Sequence, residues 1–463
     1  MTKIHCLRSA VGVVAVSFLT AGCATHPAVI VQTPRDVRVV EISDEVAEQI
    51  AERVAAYIPK APQVAAPALS RPIAAVRPRA APVDMRIARV RRDVAGSAVY
   101  RRPPSPEIFA PAPNIPMERL RTGTTAAVDS ALTWLAKHQA ENGAWGASAF
   151  GETCDKQCDG AGEQTYTAGV TGMAVLCFLR DGQTARSGEY KEVVAKGLRY
   201  LRTIQDSEGC FGLRVSQHFQ YNHAAATLAV VEAYALTKSP ILRETAQAGV
   251  NFVLQSQNPY LGWRYGVRDG DNDTSMTSRM TEVLSAARLA GLVVDDSAFH
   301  GALSWVEKMT EPEFGRVGYN HRGGPTARTQ EAMEAFPAEH SEAMTAAGLL
   351  IRMYSGQAAN ANQSIRKGAD LMAVRPPVWN VARGTNDFYY WLLGTTAMRK
   401  VGGVKWNAWR NSLFAAVVEN QQGSDAHTAG SWDPVDAWSG DGGRVYATTT
   451  LCLALQQIEA SLK

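Results

Sequence analysis

Six times between residues 124 and 461 the chain repeats one pattern: an amphipathic helix ending near Gln, then a short Gly-aromatic turn. The clearest copies run from Ala131 to Gln139, closing at Gly143-Ala-Trp145, and from Gly197 to Gln205, closing at Gly209-Cys-Phe211. The next two run from Gly249 to Gln257 with Gly262-Trp263, and from Gly301 to Met309 with Gly318-Tyr319. The fifth, Gly368 to Pro376 then Trp379, lacks the Gln, and the sixth runs from Leu413 to Gln421 and closes at Gly430-Ser-Trp432. Eight residues separate the first position from the Gln or its substitute, and the copies lie 45 to 67 residues apart. A repeated unit of this size buries its apolar face only against its neighbours. Six helical units that must all be buried therefore predict a closed ring.

The pattern resembles the Gln-Trp repeat of squalene and terpenoid cyclases and of protein prenyltransferase β subunits. That resemblance implies an all-α fold, an α6/α6 toroid over residues 122–463, with six outer helices carrying the repeats and six inner helices around a cavity. Local chemistry agrees with it. Gln bonds backbone groups at a helix end, Gly supplies a tight reversal, and the aromatic ring packs on the next unit. Such a device specifies fold strongly and function weakly.

Six stretches between the repeats read as the inner ring: Thr167–Leu179, Asn222–Leu236, Asp273–Leu292, Ser341–Tyr354, Asn386–Met398 and Arg444–Ile458. They are rich in Ala, Gly and Thr with bulkier residues interleaved, as helices buried nearly all round are. Asn222, Asp273, Ser341 and Asn386 stand as capping residues at four starts. Parallel inner helices would gather Tyr166, His223, Asp273, Glu342, Asp387 and Arg444 at one mouth. Trp263, Tyr265, Tyr389, Trp432 and Tyr446 join them in a predicted aromatic rim, suited to a flat or elongated isoprenoid, glycan or peptide.

The first 121 residues are different material. Residues 1–23 carry Lys3 and Arg8, an apolar run from Ala10 to Ala21, and then Gly22-Cys23. This reads as a secretory signal, too short to span a membrane. Leu19-Thr-Ala-Gly-Cys23 resembles a bacterial lipobox, with Thr20 where Leu is commoner. That implies lipidation of Cys23 and a membrane-anchored protein of the bacterial cell envelope; the alternative is a plain signal peptide with an incidental Cys. Residues 24–121 are rich in Ala, Pro and Arg, a disordered tether interrupted by one short amphipathic helix near residues 43–58. Fifteen Lys/Arg against ten Asp/Glu make the tether basic and, with the signal's two positive charges, leave the ring net acidic within a total of +3. Nothing in the charge pattern points to nucleic acid, and the ring reads as a monomer.

Of seven cysteines, Cys6 leaves with the signal, while Cys177, Cys210 and Cys452 read as packed thiols. Cys154 and Cys158 flank a short loop after the first repeat, and in an oxidising compartment they are expected to form a disulfide. A metal pair is the rival, since the spacing fits zinc, but no His or second Cys pair follows nearby.

The family resemblance also frames the chemistry. Class II terpene cyclases protonate an alkene with the middle Asp of an Asp-X-Asp-Asp motif that precedes Thr. The matching segment is Gly270-Asp271-Asn272-Asp273-Thr274, with Asn272 at the acid's position. An amide does not serve as that acid. Asp273 is expected to be an N-cap held ionised by backbone amides, with Asp271, Glu342, Asp387 and His223 as the other catalytic candidates. No complete zinc set or cofactor is legible at the mouth. Three function classes follow: a toroid that binds a ligand or partner without cyclase chemistry, an enzyme on an isoprenoid or lipid-linked substrate, and a polysaccharide hydrolase or lyase using rim carboxylates.

Overall fold

The structure is a computed structural model that describes residues 5–9, 12–17, 28–32, 37–41, 108–154, 158–215, 218–423 and 427–463. Met1–Ala88 and Arg89–Lys463 form two units, each treated by itself. In the first, β1 (His5–Ser9), β2 (Gly12–Ser17), β3 (Ala28–Gln32) and β4 (Val37–Glu41) form an antiparallel meander in sequence order. The sequence reading assigned no strands here; Val-rich runs such as Gly12–Ser17 and Val37–Glu41 carry the β-branched residues that favour them. Cys23 and the short helix expected near residues 43–58 lie outside the described residues.

The described part of the second unit is all-α. Six outer helices are α1 (Met117–Lys137), α3 (Lys191–Thr203), α5 (Pro240–Ser256), α7 (Ser297–Met309), α10 (Gln363–Ala373) and α12 (Gly403–Val418). Six inner helices alternate with them: α2 (Thr167–Arg180), α4 (Phe219–Thr237), α6 (Thr274–Ala290), α9 (Ala343–Tyr354), α11 (Phe388–Val401) and α13 (Ser439–Leu462). A short α8 (Gln330–Ala335) sits in the loop before α9. Each inner helix packs on the next, and α13 returns to pack on α2. The fold is an α6/α6 toroid.

The repeat's glutamines show how the ring is tied. Gln139 Nε2 donates to Gly143 O in its own turn (3.0 Å) and to Val193 O in the next outer helix (2.9 Å). Gln205 does the same with Gly209 O and Thr245 O, and Gln257 with Leu261 O and Ala298 O. Gln421 completes the circuit, reaching Gly430 O and, at 2.8 Å, Ala127 O of the first helix. The two joints without the Gln are held differently, by arginines that do not reach the next outer helix: Arg352 bonds Thr310 Oγ1 and pairs with Glu307, and Arg375 bonds Glu339 O and pairs with Glu342.

Glycine and Trp complete the joint. Gly143, Gly209 and Gly430 have φ near +90°, and a Cβ there would lie 2.2–2.3 Å from a carbonyl oxygen of the next outer helix. Only Gly permits both the turn and that approach. Trp145, Trp263 and Trp432 are fully buried, and each indole N–H donates to a carbonyl in the last turn of its own outer helix at 2.7–2.8 Å. The backbone N–H of these three residues reaches a Thr hydroxyl on the following inner helix: Thr171, Thr277 and Thr448.

The ring-closing joint is open to test. Gln421→Ala leaves Gly430 O and Ala127 O without their donor, at a cost of about 2 kcal/mol for a half-buried pair of bonds. A urea unfolding midpoint unchanged from wild type would show that the ring does not depend on this bridge.

Candidate functional site

Inside the ring lies a cavity of about 210 Å³, walled by inner helices and roofed by the turns that precede them. Its deeper wall is largely aliphatic, with Val170, Leu176, Leu228, Val283, Met344 and Leu392 among the lining residues. Six tyrosines line it as well, one from each repeat: Tyr166, Tyr221, Tyr265, Tyr319, Tyr389 and Tyr446.

These tyrosines are linked into short hydrogen-bonded chains. Tyr221 OH donates to Ser275 Oγ at 2.8 Å, and Ser275 Oγ lies 2.7 Å from Tyr389 OH. Tyr265 and Tyr319 share a 2.5 Å contact, and Tyr319 OH donates to Asp273 Oδ2 at 3.2 Å. Tyr166 OH meets His218 Nδ1 at 3.1 Å, and the His218 ring stands edge-on to Tyr265. Burial raises the pKa of all six phenols, that of Tyr265 to about 12, so the tyrosines present hydroxyl groups rather than phenolates. Charge is held in pairs: Arg279 donates to Glu282 at 3.1 Å, and Arg180 grips Glu232 through two bonds.

Of the predicted rim, only Tyr166, Tyr265, Tyr389 and Tyr446 line the cavity. Trp263 and Trp432 belong to the repeat joints described above. His223 faces outward and is fully buried: its Nδ1 accepts from Phe211 N, its Nε2 bonds Gly249 O, and burial lowers its pKa to about 3. It takes the place that Thr holds in other repeats and is no ligand at the mouth. Glu342 is clamped by Arg316 at 2.5 Å and Arg375 at 3.3 Å, Asp387 by Arg328 at 2.6 Å, and Arg444 is engaged with Asp159 and Asp433. The pairs of Glu342 and Asp387 are buried behind the wall, whereas buried Arg444 meets an exposed Asp159 and a part-exposed Asp433. Asn222 is likewise no cap: it lies inside α4 and bonds Gly169 N and Thr165 O, because the helix begins earlier, at Phe219.

Asp273 is the N-cap of α6, accepting from Met276 N at 2.7 Å. The expectation that it is held ionised is corrected. It is fully buried, and desolvation raises its pKa to about 7 against the opposing Met276 amide and Arg264. Asn272 turns away from the cavity, its Oδ1 accepting from Gly262 N at 2.9 Å, and Asp271 is exposed beside Arg264. The acid's position is thus spent on a repeat turn. Sequence reasoning missed His218, Tyr221, Ser275, Tyr319 and Asp441; the last lines the cavity with its pKa raised to about 6 by burial. A Tyr once per repeat was the legible signal.

Cys154 and Cys158 stand in the structure as separate thiols, without the expected disulfide between them. Cys158 Sγ is turned instead toward His138 Nε2, at 3.3 Å.

Because folding raises the pKa of Asp273 from 3.8 to about 7, its stabilising contribution is full below the unfolded value and is lost as pH rises through the folded one. Asp273→Asn keeps an acceptor for Met276 N but removes that dependence. Its urea midpoint should fall less than wild type between about pH 5 and about pH 8, and parallel curves would refute the assignment.

Residues 117–220 match the family model of the squalene-hopene cyclase C-terminal domain. No curated protein matches the sequence. Among solved structures, an inactive variant of the α-1,6-mannanase GH76A of Salegentibacter sp. HEL1_6, in complex with α-1,6-mannotriose, is similar at 12% identity and TM-score 0.49, covering 73% of this chain and 100% of that one. The type II terpene cyclase MstE from Scytonema, as an apo variant, is similar at 14% identity and TM-score 0.47, covering 74% and 99%. The first two repeats of this ring, from α1 to the start of α4, therefore resemble the squalene-hopene cyclase C-terminal domain in sequence.

Proposed function

We propose that the toroid binds a slender apolar molecule with a hydrogen-bonding head, of the isoprenoid type, without protonating it. The observation that carries this reading is the lining itself: an aliphatic wall with tyrosine hydroxyls linked to Ser275 and Asp273. Such a surface receives a hydrocarbon chain by burial and orients its head by a few fixed polar groups. At about 210 Å³ the space suits a small molecule rather than a polysaccharide or a folded partner.

Cyclase chemistry is disfavoured on two grounds. Asn272 serves the Gly262 turn, and Asp273, though protonated to about pH 7, is correspondingly a weak acid for an alkene. A glycan-cleaving reading loses its support too, since Glu342 and Asp387 are tied to arginines rather than offered as a pair. The protein is further proposed to act from the bacterial envelope, held by a lipid on Cys23, on the strength of the lipobox-like residues 19–23.

Farnesol and geranylgeraniol should bind the purified protein in titration calorimetry, and Leu228→Trp, which fills the aliphatic wall, should lose that binding. Equal binding by the variant would remove the cavity from the proposal. Cyclised product from squalene or shorter polyprenes, abolished by Asp273→Asn, would replace it with an enzyme.

Cys23→Ser should shift the protein from the membrane fraction to the soluble one and block signal processing. Retention of the variant in membranes at mature size contradicts the anchor.

A further inference from the structure

His138, Cys154, Cys158 and His427 come from three separate segments, yet their ligand atoms all lie within 4.8 Å of one another. None of the four lines the central cavity. His138 ends α1 as its C-cap, the two cysteines stand in the loop from α1 to α2, and His427 follows the last outer helix. We infer that these four residues form a tetrahedral zinc site that clasps the first repeat to the last.

The geometry is that of a ligand set. Cys158 Sγ lies 3.3 Å from His138 Nε2 and 3.8 Å from His427 Nδ1. Zn–S and Zn–N bonds at tetrahedral angles put sulfur and nitrogen about 3.5 Å apart, between those two values. Two thiolates and two neutral imidazoles also balance a divalent cation, which suits a site where three of the four residues are buried. Four protein ligands leave no open position, as in structural rather than catalytic zinc sites.

The surroundings fix the ligands. His138 Nδ1 donates to Trp134 O at 2.7 Å, so its Nε2 lone pair points at the cluster. Trp134 stacks on the His138 ring at 4.1 Å, and Phe150 packs alongside both rings. Beside the site, Arg444 pairs with Asp159, next to Cys158, and at 2.8 Å with Asp433. Gly160 O also accepts from Arg444 N at 2.7 Å, so the loop from α1 to α2 is already seated on the last repeat. The cation would close a chain loop of 269 residues, between Cys158 and His427, where Gln421 also bridges.

The full-length chain, purified under reducing conditions and dialysed against zinc, should carry one zinc per chain by elemental analysis. Cobalt in its place should give the intense ligand-field bands of a tetrahedral site with thiolate charge transfer. Cys158→Ser should lose the metal, whereas Cys210→Ser, away from the cluster, should keep it. If Cys158→Ser does not fold, His427→Ala, in an exposed loop, should fold, bind zinc more weakly and alter the cobalt spectrum. A chelator should lower the Tm of wild type but not of Cys158→Ser. A Cys154–Cys158 disulfide in the native protein, wild type without metal after this treatment, or an unchanged cobalt spectrum in His427→Ala would each overturn the site.

Discussion

One side-chain amide sets the terms for this ring. A glutamine at the end of an outer helix spends both N–H groups on two carbonyls, one in its own turn and one in the next outer helix. The glutamine thereby closes its own turn and fixes where the next helix lies, while a last-turn carbonyl of its own helix is met by the Trp indole. The glycine after it allows the approach, and the indole N–H returns to the helix it followed. Each joint therefore sets spacing and rotation together, so the inner helices need little polar chemistry to find their places. Their inward faces are left free to be aliphatic.

That division of labour explains the character of the cavity. The charged residues at the inner-helix starts are consumed by ion pairs that hold loops against the ring: Glu342 and Asp387 by buried arginines, and buried Arg444 by aspartates nearer the surface. Losing one partner of such a pair would strand a buried charge, so these residues stabilise the fold only as pairs. What faces inward is the tyrosine belt. Its hydroxyls bond one another, Ser275, Asp273 or His218, and burial keeps them neutral.

The repeats were legible because their spacing is set by geometry that survives in one dimension. All six outer and six inner helices lie where the pattern put them, with a shift at the start of α4; α13 breaks at Gly443, so its main run begins at Arg444 as the pattern placed it. The cavity was less legible because facing inward or outward is a matter of a few residues along a helix start. His223 and Tyr221 are two positions apart, yet one binds the repeat turn behind the wall and the other lines the space. The cysteines show a different limit. Their partners His138 and His427 stand on either side of the ring's seam, and a scan of the residues that follow Cys158 does not join them. The aspartate's protonation likewise depends on burial that no spacing reports.

Closure has a consequence for how such a protein can change over evolutionary time. An open solenoid tolerates the gain or loss of a unit, because each repeat touches only its neighbours and the ends are capped. Here the bond from Gln421 to Ala127 makes the last repeat a neighbour of the first. Dropping or adding one unit would alter the angle turned by every other, and no seam would meet. Variation is therefore confined to the loops between helices, and the number of repeats is locked.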